Sequence, residues 1–154
     1  MTALFFALIG MIYERTHTRD ITKLGGLLKV IPFISVIYVI AGLASLGLPG
    51  FSGFVAEMNI FVGAFQHEDM FYRVVAVISV SVIVVTAVYI LRVVGIMLMG
   101  PVKNEAYLKL ERVTWYEKSG ILLLLIPIVG IGVAPLWLSN LILESLQPFI
   151  QGLL

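Results

Sequence analysis

The chain contains no cysteine, only two histidines, and ten Lys and Arg against nine Asp and Glu in 154 residues. Without thiols it can form no disulfide and can hold no thiolate-bound metal or iron–sulfur cluster of its own. The scarcity of charge, 12% beside 60% hydrophobic residues and a mean hydropathy of +1.08, excludes a soluble domain, because a chain of this length could not hide that much apolar surface in one core. The formal net charge of +1 specifies no acidic or basic partner. The basic residues are scattered in loops and form no stripe that could track nucleic acid. No nucleotide-binding loop, metal-ligand cluster or hydrolase triad is present.

What is present is apolar sequence in four segments, implying an all-α integral membrane protein with a single membrane region over 1–154. Residues 2–13 are too short to cross a hydrocarbon core that takes about 20 helical residues, and so form a partial helix. A secretory signal peptide is the competing reading, but no basic leader precedes the segment and no small-residue cleavage site follows it. Residues 31–66 are too long for one straight span, while 74–99 and 120–137 can each cross once. The tail 138–154 is amphipathic, with Glu144, Gln147 and Gln151 roughly on one face.

The long segment 31–66 crosses either twice, turning at Pro49-Gly50, or once as an interrupted helix. Lys and Arg accumulate on the cytoplasmic side of membrane proteins. A single crossing places Arg15, Arg19, Lys23 and Lys29 on the same side as Arg92, Lys103, Lys109, Arg112 and Lys118, leaving Arg73 alone opposite; a double crossing gives five against five. The charge bias therefore favours one discontinuous helix, broken between Gly47 and Gly53. The expected bundle has about three full transmembrane helices plus the truncated first one, with loops 14–29 and 100–119 in the cytoplasm.

Glu57 is the residue that points to chemistry. A carboxylate within an apolar segment costs about 2.5–3.5 kcal/mol on insertion scales, so such residues mark proton or ion routes. The break at Gly47, Pro49, Gly50 and Gly53 lies just upstream, and broken helices in transporters hold the coupling-ion site because their freed backbone groups require protein or water partners. Ser52 and Asn59 are further polar groups for such a path. The competing reading of Glu57 is a structural carboxylate paired to a neighbouring helix.

The runs Tyr13-Glu14-Arg15-Thr16-His17-Thr18-Arg19-Asp20, Leu24-Gly25-Gly26-Leu27, and Ala44-Ser45-Leu46-Gly47-Leu48-Pro49-Gly50-Phe51-Ser52-Gly53-Phe54-Val55-Ala56-Glu57 resemble the antiporter-like subunits of respiratory complex I, the NADH–quinone oxidoreductase. The resemblance is strongest to subunit M, the counterpart of mitochondrial chain 4, whose sister subunits and Mrp-type relatives typically carry lysine at the position of Glu57. It implies that Glu57 is the terminal protonatable residue of a half-channel, coupling quinone reduction to proton pumping. It also implies that flavin, iron–sulfur clusters and quinone belong to partner subunits, with no cofactor or metal in this chain. The expected partners are other membrane subunits of that complex, the N-terminal part of the same subunit and the bilayer, with no nucleic acid. The bacterial inner membrane is the expected location. Members of the family are several times longer, and this chain corresponds only to their final spans, as expected of a split or truncated gene or a fragment.

Several features have plainer readings. His17 and His67 read as hydrated surface histidines, Arg92 as a snorkelling end residue, and Tyr89, Trp115 and Tyr116 as interfacial anchors. Met97 and Met99 read as apolar filling. Residues 103–118 suggest an interfacial helix. Two functional alternatives remain at this level: an Mrp-type cation/proton antiporter subunit, or a scaffold that transports nothing. The charge count makes a direct prediction. Single cysteines placed at Thr22 and Asn104 should react with a membrane-impermeant thiol reagent from one side, and a cysteine at Asp69 from the other; opposite labelling of the first two would restore the double crossing.

Overall fold

The computed structural model describes residues 1–151, and side chains through Leu146 except that of Lys109. Among them there is no strand. The order is α1 (Thr2–Thr16), α2 (Leu27–Val30), α3 (Pro32–Ser45), α4 (Ser52–Gln66), α5 (Met70–Leu98), a 3-10 turn (Glu105–Lys109), α6 (Trp115–Val133) and α7 (Pro135–Gln151). Residues 152–154 of the expected amphipathic tail lie outside the described residues, as do the side chains of Gln147 and Gln151.

Local chemistry explains most of the boundaries. Pro32 occupies the first position of α3, where a missing N–H costs nothing. Asp69 caps α5 by accepting from the Phe71 N–H at 3.0 Å. Thr114 and Glu117 form a reciprocal capping box at the start of α6, the Thr114 N–H donating to the Glu117 carboxylate at 2.7 Å. The apolar stretch 120–137 does not continue as one helix. Ala134 leaves helical geometry (φ −124°, ψ 65°) because Pro135 disfavours the α conformation in the residue before it, and α7 starts afresh at that proline. The segment 103–118 is likewise not one interfacial helix. A single 3-10 turn is followed by extended residues up to the α6 cap, since its apolar side chains lack the spacing that would cover one helical face.

Long-range contacts define the arrangement of α3, α4 and α5. The Gly26 N–H, just ahead of α2, donates to the Met99 carbonyl at the end of α5. Farther along, a Cβ on Gly42 would lie 3.1 Å from Ile90, and Ser45 shares a cavity wall with Tyr89. Rising numbers in α3 meet falling numbers in α5, so the two run antiparallel. A 29-residue helix reaches about 44 Å. The start of α5, which follows α4 directly, therefore lies far from the start of α3. α3 and α4 follow one another along α5, which packs on both.

The core joins the ends of these helices that lie near the polar loops. Leu4, Leu8 and Ile12 of α1, Leu27, Ile34, Leu98 and Ile121 are buried together, with Phe5 edge-on to Tyr38 at 5.3 Å. Most of α5 contributes nothing to it. Val77, Ile78, Val84 and Val85 are exposed, as suits an apolar helix whose solvent is lipid or another membrane subunit. α5 and α6 are both long and apolar enough to cross a bilayer.

One ion pair ties the first helix to the sixth. The Arg15 guanidinium donates to both Glu117 oxygens, at 2.9 and 2.7 Å, and also to the Met11 and Glu111 carbonyls at 3.1 Å each. Its side chain is 8% exposed and that of Glu117 22%, so water screens the pair only in part. Truncating Arg15 removes the cation from Glu117, which keeps only its Thr114 donors, and leaves the Glu111 carbonyl without its side-chain donor. Arg15→Ala is expected to lower stability by about 1–3 kcal/mol, read as a fall in the thermal midpoint of the chain in detergent micelles. Arg15→Lys should recover only part of it, because an ammonium cannot match the bidentate fork.

Candidate functional site

The site is built where α3 stops. Gly47 (φ +65°) and Gly50 (φ +97°) adopt left-handed backbone that side-chain-bearing residues rarely take, and Pro49 between them has no N–H to continue a helix. The Leu46 N–H still bonds back to the Gly42 carbonyl and the Gly47 N–H to Ala44. The Leu48 N–H reaches the Leu43 carbonyl at 3.4 Å and closes the helix end, and the Phe51 N–H then turns back to the Leu48 carbonyl. Among the described residues the carbonyls of Ser45, Leu46, Gly47 and Gly50 accept no backbone hydrogen bond. Left dry in an apolar medium, such groups are costly.

Glu57 reaches back to this gap. Helical side chains lean toward their own N-terminus, and the Glu57 carboxylate lies directly over Gly47, so that a Cβ at that glycine would collide with it. The residue is half-buried, and among the described residues no side chain donates a hydrogen bond or ion pair to it. Gly53 is buried against the Ala44 carbonyl, which a Cβ would approach to 2.7 Å. The start of α4 is thereby pressed onto the end of α3. Gly47, Gly53 and Glu57 thus come together at one point.

Ser52 and Asn59 do not join them. At about 100° per residue, Asn59 projects about 160° away from Glu57 around α4, while Ser52 and Asn59 share a face. That face lines a separate cavity of about 440 Å³, whose walls include Met1, Gly53, Ile131 and Ser139. The break therefore has a carboxylate on one side and a roomy hollow with hydroxyl and amide groups on the other. A cavity with polar partners and this volume has room for water.

Gly132 is the residue that sequence reasoning missed. A Cβ there would run into the Gly50 carbonyl and the Phe51 Cα, so α6 touches the break backbone to backbone. The signal in the sequence is Gly132 itself, a residue without a side chain in an otherwise bulky apolar helix, while Gly130 two positions earlier faces open space. The remaining candidates lie elsewhere. His17 closes α1, and His67 accepts from the Asp69 N–H at 3.2 Å; both are exposed, as are Arg92, Tyr89, Trp115 and Tyr116. Among the described residues no three His, Asp or Glu side chains gather as a metal site would require.

Comparison with known proteins fits this architecture. The family model described as "NADH:quinone oxidoreductase/Mrp antiporter, TM" matches residues 1–86, which include α1, the break and Glu57. An NAD(P)H-quinone oxidoreductase chain 4 of Picosynechococcus sp. is 39% identical over 86% of this chain and 26% of its own length. Similar chain 4 proteins from Acaryochloris marina and a Synechococcus sp. are 36% and 33% identical over 86% and 96% of this chain. The chain thus spans between a quarter and a third of the length of these relatives, 26% to 29%. It is an integral membrane protein that belongs to the family of NADH:quinone oxidoreductase and Mrp antiporter membrane subunits, and within that family it is a homologue of the antiporter-like subunit M, or chain 4, of complex I.

Proposed function

We propose that the chain is the C-terminal part of a proton-translocating subunit of an NADH–quinone oxidoreductase, in which Glu57 takes and releases a proton at the break between α3 and α4. The observation that carries this reading is the Glu57 carboxylate lying over Gly47, where backbone carbonyls have lost their helical partners. A proton carrier in lipid needs an acid that can be loaded near neutral pH and polar neighbours that exchange with water. Moving one proton against 100 mV costs about 2.3 kcal/mol, which the rest of the complex has to supply.

In this reading α3, the break and α4 form a single discontinuous span, supported by the antiparallel run of α5 along both helices. Loops 14–29 and 100–119 face the cytoplasm of a bacterial inner membrane, and residue 73 lies outside. The cavity of Ser52 and Asn59 supplies water from the face opposite Glu57, and protons pass to and from the carboxylate along water hydrogen-bonded to the free carbonyls of Ser45, Leu46, Gly47 and Gly50. The energy, the flavin, the iron–sulfur clusters and the quinone belong to other subunits of the complex. The rest of the same subunit and the neighbouring membrane subunits are the partners.

The test is made in the assembled complex reconstituted in vesicles. Glu57→Gln removes the titratable group at almost constant volume and should cut proton translocation by about tenfold or more, while the complex still assembles. Glu57→Lys keeps a protonatable group and should retain part of the activity that Gln loses. Normal pumping by both Glu57→Gln and Glu57→Ala would make the carboxylate structural and the chain a scaffold.

A further inference from the structure

A second cavity, about 290 Å³, opens at the loop end of the bundle, far from Glu57. Its walls divide by chemistry. Val30, Ile31, Pro32, Phe33 and Val113 make an apolar floor, and Arg112 and Lys118 stand at its edge. Among the described residues neither cation has an ion pair; both are exposed. The Lys118 ammonium lies 5.7 Å from the centre of the Phe33 ring, which holds its stem along the apolar floor. The nearest carboxylate in the helix, Glu117, is already occupied by Arg15 and by the Thr114 cap, so it does not neutralise Lys118.

The depth of this cavity in the membrane follows from its neighbours. Trp115 and Tyr116 lie between Arg112 and Lys118 in sequence and are 78% and 86% exposed. An exposed Trp-Tyr pair at the start of an apolar helix sits at headgroup level, where its amphipathic rings are best solvated. A hollow there with an apolar floor and two uncompensated cations matches an amphiphile with an anionic head.

We infer that this cavity is a binding site for an anionic phospholipid, its phosphate held by Arg112 and Lys118 and the upper part of its acyl chain lying against Pro32, Phe33 and Val113. Arg supplies a fork for phosphate oxygens and Lys a point charge. Neutral phosphatidylcholine carries its own cation and gains little from two more. The site does not depend on the role of Glu57, and its occupancy is read without measuring proton transport.

The experiment uses the assembled complex containing this chain in nanodiscs of phosphatidylcholine doped with a photoactivatable phosphatidylglycerol, with labelled peptides mapped by mass spectrometry. Label is expected on 30–33 and 112–118. Unlabelled phosphatidylglycerol should compete, whereas millimolar inorganic phosphate should not. Each basic residue near an anionic surface is worth about fivefold in association, so Arg112→Gln with Lys118→Gln should reduce labelling by about tenfold or more, and Arg112→Lys with Lys118→Arg should keep most of it. Equal labelling by a photoactivatable phosphatidylcholine, no loss in the double Gln variant, or absence of label because another subunit covers these residues would each overturn the assignment. Displacement by inorganic phosphate alone would overturn it as well, in favour of a free-anion site. Should the Gln variant fail to assemble, competition in the unaltered complex decides: failure of phosphatidylglycerol to compete removes the lipid.

Discussion

Unpaired backbone groups cannot stay dry in a bilayer, and that constraint orders the rest of this molecule. α3 stops at Ser45 and α4 starts at Ser52, leaving carbonyls between them without helical partners, and within a bilayer each would cost several kcal/mol if it found none. Protein crowds against the break, and a mostly apolar hollow that also carries Ser52, Asn59 and Ser139 lies beside it. Gly53 presses α4 onto the Ala44 carbonyl, Gly132 brings α6 against Gly50, and Glu57 folds back over Gly47. All three contacts need a missing Cβ, so the glycines around the break let backbone meet backbone or carboxylate.

The helices around the break act as splints. α5 carries no proline or glycine until Gly95 and packs on α2, α3 and α4, so it spans the interruption with one unbroken ladder. α6 is anchored at its start by the Arg15 pair and the Thr114 cap, and meets the break near its end. α6 itself carries Pro127 and Gly130 just before Gly132, so of the two neighbours only α5 lies along the break without an interruption of its own.

Much of this was legible in the sequence, for identifiable reasons. The apolar segments follow from hydropathy, and the helix end near Ser45 follows from Leu48-Pro49-Gly50, since proline and glycine act locally. Glu57 stood out because its setting is apolar. The opposed directions of Glu57 and Asn59 follow from helical periodicity alone, since two residues turn a helix by about 200°. The split at Ala134-Pro135 was hidden by hydropathy that runs on through it, even though the proline marks it. Other features had no local signature. The Arg15–Glu117 pair joins residues 102 apart in sequence, and the Gly132 contact with Gly50 depends on how two helices cross. Neither can be read from spacing, because tertiary packing alone creates them.

The central claim is that the Glu57 carboxyl changes protonation during turnover. Infrared difference spectroscopy of the complete complex, triggered between resting and turning-over states, measures this directly through the carboxylic acid C=O stretch. A protonated-carboxyl band that rises and falls with turnover, shifts in deuterium oxide and vanishes in Glu57→Gln is the predicted result. A carboxyl difference spectrum identical in the unaltered complex and in Glu57→Gln would contradict it.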